Sequence, residues 1–373
     1  MARVLFVTWE GGGNQWPTLA IARALLDQGH RVRIAGYDSQ QQPLAEMGFD
    51  VALLRRGGRK PTGSDPLRAV FEGVFCNRDH VADVAELAAA FGPDVLVVDC
   101  LLFGALAGAE AVGLPTATLV HSAPRALAEG PGMAQLIQGV NAFRADAGLG
   151  QVADVLSAWT HGPALATSIA QLDGDVPSPG FQFVGPIADE REGAWTSPWP
   201  QTDQRPLIVA SLSTGRVFGD QTPRYQRIAD ALADVSARVL ITTGGAVDQT
   251  QLRLPDNARA VRFVSHPAVV RGAAACVTHG GHGTLCAALR AGLPVLALPN
   301  PAADQPYLAQ RIARLEAGLQ LDRDSPTTDI RDAVIDLLDH VEYRRGAERL
   351  ADAIAASPGT NAATSTLRAL AGS

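Results

Sequence analysis

The stretch Cys276-Val277-Thr278-His279-Gly280-Gly281-His282-Gly283-Thr284-Leu285, followed twenty residues after Thr284 by Asp304-Gln305, decides how the chain is read. A short apolar run breaks into a glycine-rich turn bearing a histidine and a threonine, and Leu285 to Ala291 then reads as a helix closed by Gly292. The pattern predicts a strand, a tight loop and a helix start. The first N–H groups of a helix have no partner within it, and the helix dipole adds partial positive charge there, so such a junction holds anions, phosphate above all. Glycines let the backbone approach the anion, while His279 and Thr284 bring side-chain donors. The stretch therefore points to a diphosphate handled by a parallel α/β domain.

Two α/β series run outward from it. In the first, strands are expected at Val4 to Thr8, Val32 to Ala35, Asp94 to Val98 and Thr116 to Val120, with helices at Pro17 to Gln28 and around Phe103 to Val112. The second has strands at Leu207 to Leu212, Val239 to Thr243, Ala260 to Val264, Ala274 to Thr278 and Pro294 to Leu298, with helices at Gln221 to Val235 and Ala302 to Ala317. Strands without polar alternation, separated by helices, imply parallel sheets covered on both faces. Recurrent prolines with Trp195 and Trp199 between Pro177 and Pro206 mark a linker. The expected division is residues 1–195, 206–350 and a helical tail at 351–373, broken near Pro358-Gly359. Two doubly wound, Rossmann-like domains bind ligands at their strand ends, so an interdomain cleft is the expected active site.

Composition narrows the function. The chain has 373 residues, 47% of them hydrophobic and 18% charged, with a formal net charge of -7. That length fits two domains, and the acidic balance argues against a nucleic-acid partner. The basic cluster Arg55, Arg56, Arg59 and Lys60 reads as a solvated loop. Val95 to Val120 is interrupted by Asp99, Glu110 and Pro115, so no membrane span is expected, and a cytoplasmic location is. Cys76, Cys100, Cys276 and Cys286 show no metal-ligand spacing and are expected to be buried, reduced thiols.

Several motifs together carry a family resemblance: Phe263-Val264-Ser265-His266-Pro267, the His279 to Thr284 turn, Ala291-Gly292-Leu293-Pro294 and Asp304-Gln305. With Pro17-Thr18-Leu19-Ala20, Phe183-Val184-Gly185-Pro186 and Ser211-Leu212-Ser213-Thr214-Gly215 they extend it over nearly the whole chain. The chain resembles the inverting GT-B glycosyltransferases of family 1, which include plant glucosyltransferases and the bacterial enzymes that decorate macrolides, glycopeptides and aromatic polyketides. The resemblance implies that His279, with Gly281, Gly283 and Thr284, donates to the diphosphate of a nucleotide sugar. Ser213 and Thr214 would reach the same diphosphate, and Phe263 and the Val264 backbone would take the base. Asp304 and Gln305 would read the sugar hydroxyls. The tail would cross back onto the first domain, which binds the acceptor.

One residue departs from the family. Inverting transfer to a hydroxyl ordinarily uses a general base that takes the acceptor proton. In the family this is a histidine, or in some members an aspartate, in the loop after the first strand. Aligning on Pro17-Thr18-Leu19-Ala20 puts Asn14 there, and an amide is no base near neutral pH. Asparagine also suits a helix cap. Asp99, His121 or Glu10 then stands as the substitute base, or the acceptor needs little deprotonation, or transfer has been lost. Replacing Asn14 with histidine or aspartate is expected to raise activity toward hydroxyl acceptors.

The resulting expectation is an inverting, metal-independent transfer of a sugar from a uridine or thymidine diphosphate donor to a small hydrophobic acceptor such as an aromatic natural product, by O-, C- or N-linkage. The nucleotide sugar is a co-substrate and no cofactor is expected. The alternatives are a nucleotide-sugar-binding auxiliary protein without turnover and a sugar-nucleotide epimerase or hydrolase. Oligomeric state is left open.

Overall fold

The computed structural model describes residues 1–59, 66–187, 195–212, 219–245 and 247–372. The chain forms two compact units, Met1–Asp189 with Ser357–Ser373, and Glu190–Ala356.

In the first unit seven strands form one parallel sheet: β1 (Arg3–Val7), β2 (Arg31–Gly36), β3 (Asp50–Leu53), β4 (Val95–Asp99), β5 (Thr116–Val120), β6 (Ala164–Ala166) and β7 (Phe181–Phe183). Their order is β3-β2-β1-β4-β5-β6-β7. Winding starts at β1 and leaves in both directions, so the chain switches direction between β1 and β4, where Val7 pairs with Val98. Apolar side chains cover both faces of this sheet. Leu5, Val7, Leu96 and Val98 join one core cluster, while Val4, Phe6, Val95 and Val97 join another. This is the alternation of a strand buried on two sides. The second cluster includes Ala363 and Leu367 of the terminal helix Gly359–Ala371, which packs on the helix Gln15–Asp27. The amide of Gly359 donates to the Val184 carbonyl at 2.7 Å, tying the tail to the end of this unit's sheet.

The second unit has six parallel strands: β8 (Leu207–Ser211), β9 (Arg238–Thr242), β10 (Ala258–Val261), β11 (Ala275–Thr278), β12 (Val295–Ala297) and β13 (Gly318–Gln320), in the order β10-β9-β8-β11-β12-β13. Here the switch lies between β8 and β11, where Thr278 pairs with Ser211. At each switch the helices that leave in opposite directions open a crevice; Asn14 follows β1, Asp99 ends β4 and His279 follows β11 there, while His121 follows the neighbouring β5, Asp304 the neighbouring β12, and Phe263 the outer strand β10.

Three details differ from the sequence reading. β10 ends at Val261, not Val264, because Arg262 and Phe263 turn their side chains to solvent. The helix expected over Ala302 to Ala317 spans Gln305–Arg314, since Ala303 takes a left-handed φ of 54° and stops it extending backward. Cys76 is half-buried, while the other three cysteines are buried and all four are free. Among the described residues no helix is long and apolar enough to cross a membrane.

Candidate active site

In the second unit the quoted stretch folds as strand, turn and helix. β11 ends at Thr278, Gly280 takes the left-handed φ of 79° that the turn demands, and the helix His282–Arg290 begins after Gly281. Its cap residue, Gly281, brings no side chain to cap it, and its first intrahelical bond runs from Leu285 N to the Gly281 carbonyl at 3.0 Å. The amides of residues 282 to 284 therefore precede the ladder. Gly281 is needed for space: a methyl group there would stand 2.4 Å from Nε2 of His279, whose ring lies over the helix start. At Gly283 an added methyl would meet nothing within 4 Å, which leaves the backbone open to approach.

His279 follows the Thr278–Ser211 pair. Burial and the nearby Arg224 charge push its pKa down to about 4, although a hydrogen bond with the Ser211 backbone works against them, and His266 adds to the depression. The ring is neutral at pH 7. Ser213 and Thr214, expected beside it, lie outside the described residues.

The turn packs against the start of the helix Gln305–Arg314. A methyl on Gly280 would lie 3.3 Å from the Gln305 carbonyl. Asp304 occupies the cap position of that helix but makes no capping hydrogen bond, and both Asp304 and Gln305 are buried. Gln305 is less free than the sequence suggested: its Oε1 accepts from the backbone amide and the Nδ2 of Asn300, each at 3.0 Å. Its side-chain carbonyl oxygen is thus engaged in holding the loop after β12. Phe263 does not pack in the core. It is 68% exposed, an unusual state for a large aromatic ring, with Arg262 5.6 Å from its centroid. Val264 is half-buried behind it. β10 is three strands from β11, which at the usual spacing is about 14 Å, on the scale of a base-to-diphosphate span.

In the first unit the structure brings Asn14, Asp99 and His121 together. Asn14 stands where the helix Gln15–Asp27 begins, but its side chain does not cap that helix. Its Nδ2 donates to the Trp9 carbonyl and to Asp99 Oδ2, both at 3.0 Å, and its Oδ1 accepts from Gly11 N at 3.0 Å. Asp99, 2% exposed, also accepts from Leu101 N on Oδ1 at 3.0 Å and faces Nδ1 of His121 at 3.3 Å. Burial disfavours charge on His121, but the Asp99 carboxylate outweighs it and raises the imidazole pKa well above its ordinary value, with Cys100 contributing. Cys100 Sγ lies 3.7 Å from the same nitrogen, a neighbour that spacing alone did not show. Asp99 is buried and contacted on both oxygens, with Asn14 and His121 on Oδ2 and Leu101 N on Oδ1. Glu10 points elsewhere and accepts from Ser39 Oγ at 2.6 Å. Trp9 and Phe75 meet edge to face at 5.5 Å beside this cluster, and Phe71 packs on Phe75 at 5.1 Å. Sequence reading missed these aromatics, as well as Arg224 and Asn300, because none belongs to a motif.

Residues 226–370 match the family model described as "Erythromycin biosynthesis protein CIII-like, C-terminal domain". The 4'-demethylrebeccamycin synthase of Lentzea aerocolonigenes is 28% identical, with 95% of this chain and 96% of that protein covered. Glycosyltransferase GtfE of Amycolatopsis orientalis is 29% identical, with 94% of each covered. Among solved structures, the calicheamicin glycosyltransferase CalG4 superposes with a TM-score of 0.79 at 24% identity, over 100% of this chain and 98% of that one. VinC, a glycosyltransferase solved in complex with dTDP, gives a TM-score of 0.74 at 22% identity, over 99% of each chain. The fold is that of the GT-B glycosyltransferases. The matched domain and the relatives that run its full length are those of natural-product glycosyltransferases, which this chain resembles from end to end.

Proposed function

We propose that the protein transfers a sugar from a UDP- or dTDP-sugar, with inversion and without a metal, to a small hydrophobic acceptor such as an aromatic natural product. The observation that carries this reading is the His279 turn: an imidazole packed against Gly281 at the cap of a helix start, with Gly283 open beside it. As the glycosidic bond breaks, negative charge grows on the leaving diphosphate, and donors already aimed at it stabilise the transition state. The anion supplies the charge that burial withholds from His279 and favours its protonated, doubly donating form. Helix amides and His279 would do the work a divalent cation does in other transferases. Phe263 would stack on the base, and Asp304 with the Gln305 amide would hold the sugar.

On the acceptor side, His121 is the group best placed to take a proton. With Nδ1 held by Asp99, its Nε2 is the free nitrogen, the arrangement by which a carboxylate fixes an imidazole for general-base work. Asn14 would keep the family's link to Asp99 while passing the base role to the end of β5. The aromatic walls of Trp9 and Phe75 support an aromatic acceptor. Asn14 alone favours the second reading, an auxiliary protein that binds donor without turnover. Incubation with UDP- and dTDP-sugars and a panel of aromatic aglycones, read by mass spectrometry with calorimetry of donor binding, separates the two. A sugar-bearing product is expected, and donor binding with no product after long incubation would favour the auxiliary.

A further inference from the structure

Arg224 lies in the first turn of the helix Thr222–Ala231 and is 4% exposed. Its guanidinium donates to Gln221 Oε1 at 2.8 Å, to Asn300 Oδ1 at 2.9 Å and to the Leu298 carbonyl at 2.6 Å, while its buried Nε has no partner. All three acceptors are neutral. Asn300, fully buried, passes the contact on by donating to Gln305 Oε1. The chain Arg224, Asn300, Gln305 thus ties the helix after β8 to the loop after β12 and the start of the helix that carries the proposed sugar contacts. A buried cation without a hydrogen-bonded carboxylate is costly, and the common remedy is an adjacent carboxylate. The charged groups that act on it are Arg323, Arg227 and Asp324, of which Asp324 is already paired with Arg227 at 3.2 Å in an exposed ion pair. Burial lowers the Arg224 pKa to about 10, which still leaves it charged at neutral pH. Its positive charge reaches the donor turn, where, after burial, it helps hold the His279 imidazole below its ordinary pKa.

We propose that Arg224 is a positioning residue of the donor site, whose buried and uncompensated positive charge sets the potential behind the His279 turn and selects a nucleoside diphosphate over its uncharged nucleoside, while its fork fixes Asn300 and Gln305. The inference rests on the donor-site reading above. A fixed cation in a low-dielectric setting attracts an anion far more strongly than a solvated one, and it needs no reorganisation when the leaving group gains charge. The fork explains why arginine stands here: Nη1 meets two acceptors and Nη2 a third, a spread that suits a guanidinium and not the single nitrogen of an ammonium.

The test uses the full chain and isothermal titration with UDP, dTDP, uridine and thymidine, alongside the His279 pKa from NMR. Failure of the wild type to bind either diphosphate would sink the donor-site reading itself. Given wild-type binding, Arg224→Met is expected to weaken the diphosphate by about tenfold or more while leaving nucleoside affinity within about twofold, and to raise the His279 pKa. Asn300→Asp, nearly isosteric, puts a carboxylate against the guanidinium and is expected to weaken diphosphate binding in the same selective way, which keeps the idea testable should the methionine variant not fold. Arg224→Lys preserves the charge and should keep the diphosphate preference while raising the donor KM through the loosened loop. Unchanged diphosphate affinity in a folded Arg224→Met or Asn300→Asp protein would overturn the proposal. So would equal losses for nucleoside and diphosphate with an unmoved His279 pKa, which is the mark of a purely structural residue.

Discussion

At the scale of single residues, Asn14 shows how an amide can occupy a place that suits a base. Its three hydrogen bonds use both the donor and the acceptor end of the side chain, and the donor end faces a buried carboxylate. Asn14→Asp, expected from sequence to restore a base, would instead set two carboxylates about 3 Å apart in a buried site, and like charges so placed raise each other's pKa. A carboxyl whose folded pKa lies above its unfolded value destabilises the fold once pH rises above the unfolded value, and the loss grows until the folded pKa is passed. Asn14→Asp should therefore melt close to wild type near pH 4 and lose about 2 kcal/mol or more by pH 8, measured by denaturant titration at both pH values. A constant deficit across that range would contradict the pairing. His121 obeys the opposite rule. Its folded pKa is raised by Asp99, so the ion pair stabilises fully below the unfolded value near 6.5 and is lost as pH climbs through the folded value. As a base His121 works only when deprotonated. The transfer rate should rise with pH through a pKa above 6.5, and His121→Ala should flatten that limb and cost about a hundredfold or more in rate at its top. A profile unaffected by His121→Ala would move the base elsewhere.

At the scale of elements, the strand, turn and helix from β11 to Arg290 were legible because every requirement is local. The apolar run makes the strand, glycine supplies the left-handed turn, and the following apolar spacing makes the helix. Gly281 turns this into a prediction. The methyl of Gly281→Ala would meet the His279 ring at 2.4 Å, so the ring must swing away from the helix start. Affinity for UDP or dTDP should fall about tenfold with little loss of melting temperature, and an unchanged affinity would show that ring position does not matter. What sequence could not show has equally physical causes. Strands β6, β7 and β13 are three residues long, too short for any period to declare itself. The exposed place of Phe263 depended on where β10 ends, a boundary set by tertiary pairing. The Asn14–Asp99 and Arg224–Asn300 bonds join residues 85 and 76 positions apart, and only the sheet order brings them together.

At the scale of the whole molecule, the net charge of -7 means that overall electrostatics repel a diphosphate. Attraction must come from fixed local groups: the glycine-capped helix start, His279 and the buried guanidinium of Arg224. Parallel strands and two doubly wound units were readable from apolar runs and their breaks, and the return of the terminal helix from the family resemblance, while the base that serves the acceptor was not. The central claim is that a diphosphate rests on the turn beginning at His279. Crystals soaked with UDP or dTDP test it most directly. Phosphate density within hydrogen-bonding distance of His279 and the amides of residues 282 to 284 is the expected result; nucleotide density elsewhere with this turn empty would contradict the account.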